Sequence, residues 1–473
     1  MKPKPFYSGG EWITSSQTIE VIDPYHRKSI ASVSLASSDQ VALAIDQTVS
    51  SFQKTKKLDS NVRSEILHQI SDEIAHRKDE FAKTISLEAG KPITDARVEV
   101  DRAIFTFQTA AEEAKRIGGE VIPLDLLKGF EKRFGMTRRF PLGPILAITP
   151  FNFPLNLVAH KLAPVIAAGN SVLLKPADKT PLTSLLLADV ISKTALPPGA
   201  INVVPCEVED IQQAVLDDRI KMLTFTGSGK VGWALKEKSG KKKVVLELGG
   251  NAGVMVHHDA DLDYAVSRCV AGGFSYAGQS CISVQRIYVH QKIYDLFLAR
   301  MVEKVKALKT GDPSLETTQV GPLINHTALE KTGSWVKEAV KEGAQCLTGG
   351  KAEGTVFLPT VLTKTTPEMK VNCDEVFAPI VTVEPYQEVD QALIELNRSS
   401  FGLQAGLFTR NIDHIFKAFQ ELEVGGLLVN DVPTFRMDHM PYGGIKDSGL
   451  GREGLKYAIE EMTELKLLAF NFP

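Results

Sequence analysis

Apolar residues recur at helical spacing near residues 40–54, 60–78 and 95–116, with polar residues filling the positions between. This predicts three amphipathic helices in the first ~120 residues, after a short extended start, with Ser38 capping the first. From Pro144 the pattern changes to short apolar runs alternating with longer periodic ones: Ile145–Thr149, Leu155–Ala168, Ser171–Leu174, Leu182–Ile191, Ile201–Val204, Met222–Phe225 and Val244–Leu248. Strand and helix in alternation, joined by short polar links, imply a mostly parallel sheet covered by helices. A second such series runs from about residue 252 to 440, with strands near Arg286–His290, Ile380–Val383, Gly406–Thr409 and Leu427–Val429, and predicts a second α/β domain. Two segments fit neither series. Residues 120–140, with Lys132-Arg133 and Arg138-Arg139 among aliphatic residues, read as a projecting hairpin. The tail Thr463–Phe470 alternates like an edge strand awaiting a partner.

Composition narrows the function classes. The 473 residues are 43% hydrophobic and 23% charged, which excludes global disorder and suffices for two or three domains. A formal charge of −3 supplies no field for nucleic acid or anionic membrane, so the expected partners are small molecules and other copies of the chain. Lys241-Lys242-Lys243 reads as a solvated loop. The N-terminus lacks the apolar core of a signal peptide and no run approaches ~18 apolar residues, so the chain is expected in the cytoplasm. Five scattered cysteines without a C-x-x-C pair argue against disulfides and zinc, and the histidines show no H-x-x-x-H spacing; no metal is expected.

Two short segments carry the chemistry. Val244–Asn251 is an apolar strand bearing one acid, Glu247, and 34 residues later Gly278-Gln279-Ser280-Cys281 places a cysteine behind a small-residue turn. A thiolate is a strong nucleophile near neutral pH, and a carboxylate in apolar surroundings has a raised pKa that suits it to moving a proton from water. Each alone is weak, since a lone cysteine is more often a small buried hydrophobe. Phosphate chemistry is suggested by Gly227-Ser228-Gly229-Lys230-Val231-Gly232, a G-x-G-x-x-G match between a strand and a helix. Counting about 20 residues on from Gly227 for the ribose-binding acid lands on Glu247, in conflict with a catalytic role. Lys175 and Asp178, at the end of a strand, offer another ribose site.

Seven motifs in order resemble the NAD(P)-dependent aldehyde dehydrogenase superfamily: Thr149–Pro154, Lys175–Asp178, Phe225–Ser228, Leu246–Asn251, Gly278–Cys281, Glu375–Pro379 and Pro441–Gly449. The resemblance spans the chain from near Tyr7 and implies an α/β fold of that type. It would comprise a Rossmann-type cofactor domain (1–120 and 142–249), an α/β catalytic domain (250–441) and a small β oligomerisation element (121–141 and 455–473). It implies Cys281 as nucleophile, Glu247 as general base and Asn152 with the Cys281 N–H as oxyanion hole. NAD, with NADP possible, would contact Thr149, Pro150, Phe151, Lys175, Asp178, Gly227, Ser228, Val231, Leu248, Glu375 and Phe377. In this light the second glycine of the G-x-G match is accidental and Glu247 is freed from the ribose. Glu247 also weighs against the branch that passes its acyl group to coenzyme A. That branch and a non-catalytic structural role are the alternatives. A homodimer or homotetramer is implied.

The residues before the Pro-Tyr-Gly-Gly turn, Asn430–Met440, resemble the lactaldehyde and phosphonoacetaldehyde branch, beside the non-phosphorylating glyceraldehyde-3-phosphate enzymes. Those relatives favour short polar or anionic aldehydes. Arg436 and Arg102 are the candidates for meeting such a group, against the alternative that both sit in structural ion pairs. Ser280 stands where the glyceraldehyde-3-phosphate enzymes carry arginine, and Phe153 where they carry tyrosine, so a dedicated phosphate clamp is not expected. The expected substrate is a small, lactaldehyde-like aldehyde bearing a hydroxyl or an anion.

Overall fold

The computed structural model describes residues 2–472. Its largest sheet holds eight strands, in which Ile201–Val203, Ser171–Lys175, Pro144–Ile148, Met222–Thr226 and Lys243–Glu247 lie side by side and parallel. Antiparallel strands close both sides: Phe6–Ser8 with Glu11–Ile13 at one, and Gly449–Leu450 beside Leu246–Glu247 at the other. The chain runs from Pro144–Ile148 outward to Ile201–Val203, then returns to place Met222–Thr226 on the opposite flank of Pro144–Ile148. That reversal is a topological switch point, where loops leaving adjacent strands diverge and open a crevice.

Helices cover this sheet. Asn156–Ala168 is buried along its whole length, which suits a crossover helix packed between layers. Helix Ser38–Thr55 packs directly on the strands, whereas Ser60–His76 and Ile93–Ala114 lie against helix Asn156–Ala168, with Lys78–Ala89 beside Ile93–Ala114. Lys78–Ala89 was not anticipated. It follows Ser60–His76 almost without a break, and Gly90 ends it at φ 65°. The cap of the first helix is Ser37, one residue before the expected Ser38: its hydroxyl accepts from the Gln40 N–H while Gln40 reaches back to the Ser37 N–H.

The second series forms a seven-stranded sheet with its own hydrophobic core. Its central strands, Ala252–Val256, Val284–His290, Ile380–Tyr386 and Gln404–Phe408, are parallel. The 120–140 hairpin exists as Val121–Pro123 paired with Arg133–Pro141. The tail does not await a partner: Thr463–Asn471 pairs antiparallel with Arg133–Pro141 over nine residues of the same chain. It forms one edge of the three-stranded sheet, with Leu465, Leu467, Leu468 and Phe470 all exposed. Helix Leu455–Glu461, within the stretch expected to serve oligomerisation, sends Leu455 and Ile459 into the first core.

Candidate active site

Four loops leave the carboxyl ends of neighbouring parallel strands and meet at the switch point. They carry Pro150–Asn152, Lys175 to Asp178, Gly227-Ser228 and Leu248-Gly249. A cavity of about 260 Å³ opens there, lined by Pro150, Phe151, Asn152, Leu157, Thr226, Gly227, Ser228, Glu247, Leu248, Gly249, Cys281, Glu375 and Phe377. The fold thus brings Cys281 and Glu247 to one space. Thr149, Lys175, Asp178 and Val231 lie outside this lining: Thr149 is buried, Lys175 Nζ donates to Asp178 Oδ1 at 2.6 Å, and Val231 is exposed on the first turn of helix Gly229–Lys238.

Glu247 ends its strand, buried, with both carboxylate oxygens lacking a hydrogen-bond partner. Such a group is costly to keep, and burial first, then the nearby Glu453 carboxylate, pushes its pKa well above the ordinary carboxylate range. Glu453 takes the opposite course. Burial raises it, but Lys161 and Arg436 outweigh that and hold it ionised, with Arg436 donating to Glu453 Oε2 at 3.0 Å. Lys161 is one of two titratable residues, with His160, in an otherwise largely apolar helix, and it donates to Thr224 Oγ1 at 2.9 Å.

Cys281 is approached through an unusual turn. Tyr276, Ala277 and Gly278 take φ of 47°, 54° and 69°, three successive left-handed residues of which two carry side chains. Each non-glycine residue there costs about 1–2 kcal/mol, so surrounding packing must hold the turn. Gly278 has no alternative, because a Cβ would sit 2.3 Å from the Ala378 carbonyl oxygen. Burial pushes the Cys281 thiol up to about 12, opposed by a hydrogen bond of 3.0 Å with the Tyr442 hydroxyl. Asn152 spends one amide hydrogen on the Gln279 carbonyl at 3.0 Å, which leaves the second free. Glu375 accepts from the Gly250 N–H at 3.0 Å, and burial raises its pKa to about 7. Phe377, at φ 55°, meets the Phe151 ring edge-to-face at 5.9 Å.

The lining suits a dinucleotide. The N-terminus of helix Gly229–Lys238 has no side-chain cap, Thr226 Oγ1 is buried without a partner, and Gly232 lets the helix approach the sheet, since a Cβ there would meet Leu248 at 2.4 Å. At Gly229 a Cβ would have room, in line with that glycine being incidental.

Arg102, Phe153, Ser280 and Arg436 gather on a second cavity, of about 370 Å³, which Lys91, Arg268 and Ser283 also line. Both arginines stand in ion pairs: Arg102 binds Asp438 through Nε at 3.1 Å and a terminal nitrogen at 2.7 Å, and Arg436 binds Glu453. The ion-pair expectation is thus met for both, and each also lines the cavity. Arg436 Nε is buried with no partner. Sequence reading missed Lys91, which pairs with Glu99 and lies 3.6 Å from the Phe153 ring centre, and Arg268, paired with Asp431. A lone cation on an amphipathic helix gives no signal. Lys161, also missed, offered one as a charge inside an apolar run. Among the described residues no cluster suited to a metal ion occurs and no helix is long and apolar enough to cross a membrane.

The sequence profile of the aldehyde dehydrogenase family matches residues 12–468. The chain belongs to the aldehyde dehydrogenase family. It is 45% identical over 472 residues to a 3-sulfolactaldehyde dehydrogenase of Priestia megaterium, covering 100% of this chain and 98% of that one. Aldehyde dehydrogenase 21 of Physcomitrella patens, solved with its product succinate, superposes at a TM-score of 0.98 with 42% identity, covering 100% and 99% of the two chains. The glyceraldehyde-3-phosphate dehydrogenase GapN of Methanocaldococcus jannaschii, solved with NADP, gives 0.93 and 40%, covering 97% and 100%. These similarities support the branch suggested by the wording of residues 430–440. An aldehyde dehydrogenase of this family is an NAD(P)-dependent oxidoreductase.

Proposed function

We propose that the protein oxidises a small anion-bearing aldehyde to its carboxylate, with Cys281 as nucleophile and Glu247 as the base that activates water. The observation that carries this reading is the buried Glu247 carboxylate, unpartnered on both oxygens, in the cavity that also holds Cys281. The sulfur attacks the carbonyl carbon, and the alkoxide that develops is met by the free Asn152 amide hydrogen and the Cys281 N–H. Bound NAD(P) supplies the acceptor for the hydride that leaves this adduct. What remains on Cys281 is a thioester, and Glu247 draws the proton from the water that cleaves it. Glu375 and Phe377 border the same space and are suited to position the nicotinamide end of the cofactor, Lys175 and Asp178 the adenosine ribose. A carboxylate at Asp178 accepts from ribose hydroxyls and repels a 2′-phosphate, which favours NAD over NADP.

The wall of the second cavity supports the anion. Lys91, Arg102, Arg268 and Arg436 all reach it, whereas Asp431, Asp438 and Glu453, partners of the three arginines, do not line it. Asp95 and Glu99 line it as well, so four cations face two carboxylates across this wall, an excess of positive charge suited to carboxylate or sulfonate oxygens. The relative from Priestia and the succinate-bound plant enzyme fit this chemistry. The division into cofactor domain, catalytic domain and oligomerisation element is part of the same proposal, with the exposed apolar tail strand as a surface for a second copy in a homodimer or homotetramer.

The test is Glu247→Gln. One equivalent of NADH per active subunit should appear as a burst, followed by steady turnover reduced about 10²- to 10⁴-fold, with an acyl adduct on Cys281 visible by mass spectrometry. In the parent enzyme the hydrolytic rate should climb with pH well above the ordinary carboxylate range, because a base works only when ionised and the pKa of Glu247 is raised. Undiminished steady turnover in the variant overturns the assignment, and NADH release that requires added coenzyme A would replace hydrolysis with acyl transfer.

A further inference from the structure

Among the described residues, the Tyr442 hydroxyl is the one side-chain group hydrogen-bonded to the Cys281 sulfur, at 3.0 Å, and the chemistry above makes no use of it. We propose that Tyr442 is a further catalytic residue: its hydroxyl donates to the Cys281 thiolate and keeps the sulfur aimed into the cavity. This rests on the reading of Cys281 as nucleophile.

The ring is held from several sides. Its main chain exchanges two hydrogen bonds with Glu453, at 3.0 and 2.6 Å. The Arg436 guanidinium lies 3.6 Å from the ring centre, and Ile282 and Leu403 pack with it in one small buried cluster that Cys281 borders. The next residue, Gly443, brings the backbone so near the acid that a Cβ would stand 3.0 Å from Glu247 Oε1. Tyr442 thus sits where the nucleophile, the acid and the Arg436–Glu453 pair converge, on a backbone with little freedom to move.

Chemistry fixes the direction of the bond. Between a thiol and a phenol either partner can donate, but a thiolate has no hydrogen, so once the sulfur ionises the phenol must. Burial raises the pKa of both groups, Tyr442 well above its ordinary value and Cys281 to about 12, and Arg436 opposes the rise in each. The phenol therefore keeps its proton. In the attack the thiol proton leaves to solvent water, a sulfur lone pair forms the S–C bond and the carbonyl π pair moves to oxygen. The Tyr442 proton stays on its own oxygen throughout.

A hydrogen bond to a charged acceptor lowers the thiol pKa by roughly one unit. That raises the thiolate fraction about tenfold and cuts its intrinsic nucleophilicity about threefold, a net gain of about threefold where most of the thiol is protonated. The experiment measures alkylation of Cys281 by iodoacetamide at pH 8 and single-turnover NADH formation in three proteins: the parent, Tyr442→Phe and Tyr442→3-fluorotyrosine. Both rates should rank Phe below Tyr below 3-fluorotyrosine, with Phe about threefold slow, because the fluorinated phenol is the stronger donor. A ring that serves only as packing gives equal rates for Phe and Tyr and no response to fluorine, and that result overturns the proposal. Phe fills the same ring volume and 3-fluorotyrosine keeps the hydroxyl, so misfolding does not mask the outcome. Cys281→Ala should lose both label and turnover; a variant that still turns over sinks the nucleophile assignment, and with it any role for Tyr442 on that sulfur.

Discussion

The two cavities that flank Cys281 treat polar groups in opposite ways. On the Glu247 side the walls are largely apolar, and Glu247, the Asn152 carbonyl oxygen and Thr226 Oγ1 are buried without partners. On the other side Lys91, Arg102, Arg268 and Arg436 each have a carboxylate within ion-pair distance. An unpartnered buried group costs stability and gains a displaced pKa, which is the condition for moving protons. A paired cation is held in place with some donors committed and others aimed outward, which is the condition for recognition. On the proposed function, the first cavity is where the chemistry occurs and the second is where the substrate is selected.

The largest effect that would sharpen this contrast is expected from Arg436→Ala. It strips Glu453 of one of two cationic partners in a buried setting, for which the destabilisation is about 3–5 kcal/mol, read as a Tm lower by several degrees in calorimetry. Arg102→Ala, which leaves the buried Asp438 with Asn156 and His160 as partners, should lower Tm less while raising KM for anionic over neutral aldehydes. Equal Tm values for both variants, with no change in aldehyde preference, would dissolve the distinction between the cavities. Next in size is Asn152→Ala: kcat should fall about 10²- to 10³-fold with KM little altered, and a change confined to KM would remove Asn152 from the oxyanion hole. The smallest effect is expected from Asp178→Ser, where half-exposure weakens the carboxylate's hold. NAD should bind about threefold to tenfold more weakly and NADP scarcely so, in steady-state assays with each; an unchanged ratio breaks the ribose assignment.

What the sequence made legible follows the same division. Parallel strands such as Ser171–Lys175 announce themselves as apolar runs because both faces are covered, and Cys281 and Glu247 stand out as polar groups in apolar or small-residue settings. Arg268 and Lys91 were invisible, because pairing with Asp431 and Glu99 is set by tertiary approach over spacings that carry no period. Tyr442 lay inside a recognised motif, yet its hydroxyl acquires meaning only when the fold sets it against a sulfur 161 residues earlier in the chain. The tail was read as an edge strand and is one, but its partner Arg133–Pro141 could not be named, since alternation shows that a segment pairs and not with what. Ser37 was missed by a single residue because two serines adjoin, and only the reciprocal bond with Gln40 tells them apart.

The strand bearing Glu247 is flanked by Gly449–Leu450, some 200 residues further along the chain, and Gly449 is required there because a Cβ would collide with the Leu246 carbonyl oxygen at 2.2 Å. Without those residues the strand bearing Glu247 would be an open edge of its sheet. The wall that covers Glu247 is thus supplied from far along the chain, and the tail that follows pairs with the hairpin at Arg133–Pro141. Contacts of such long sequence separation fold slowly. A chain shortened before Gly449 is expected to keep the parallel strands and to lack the cover over Glu247.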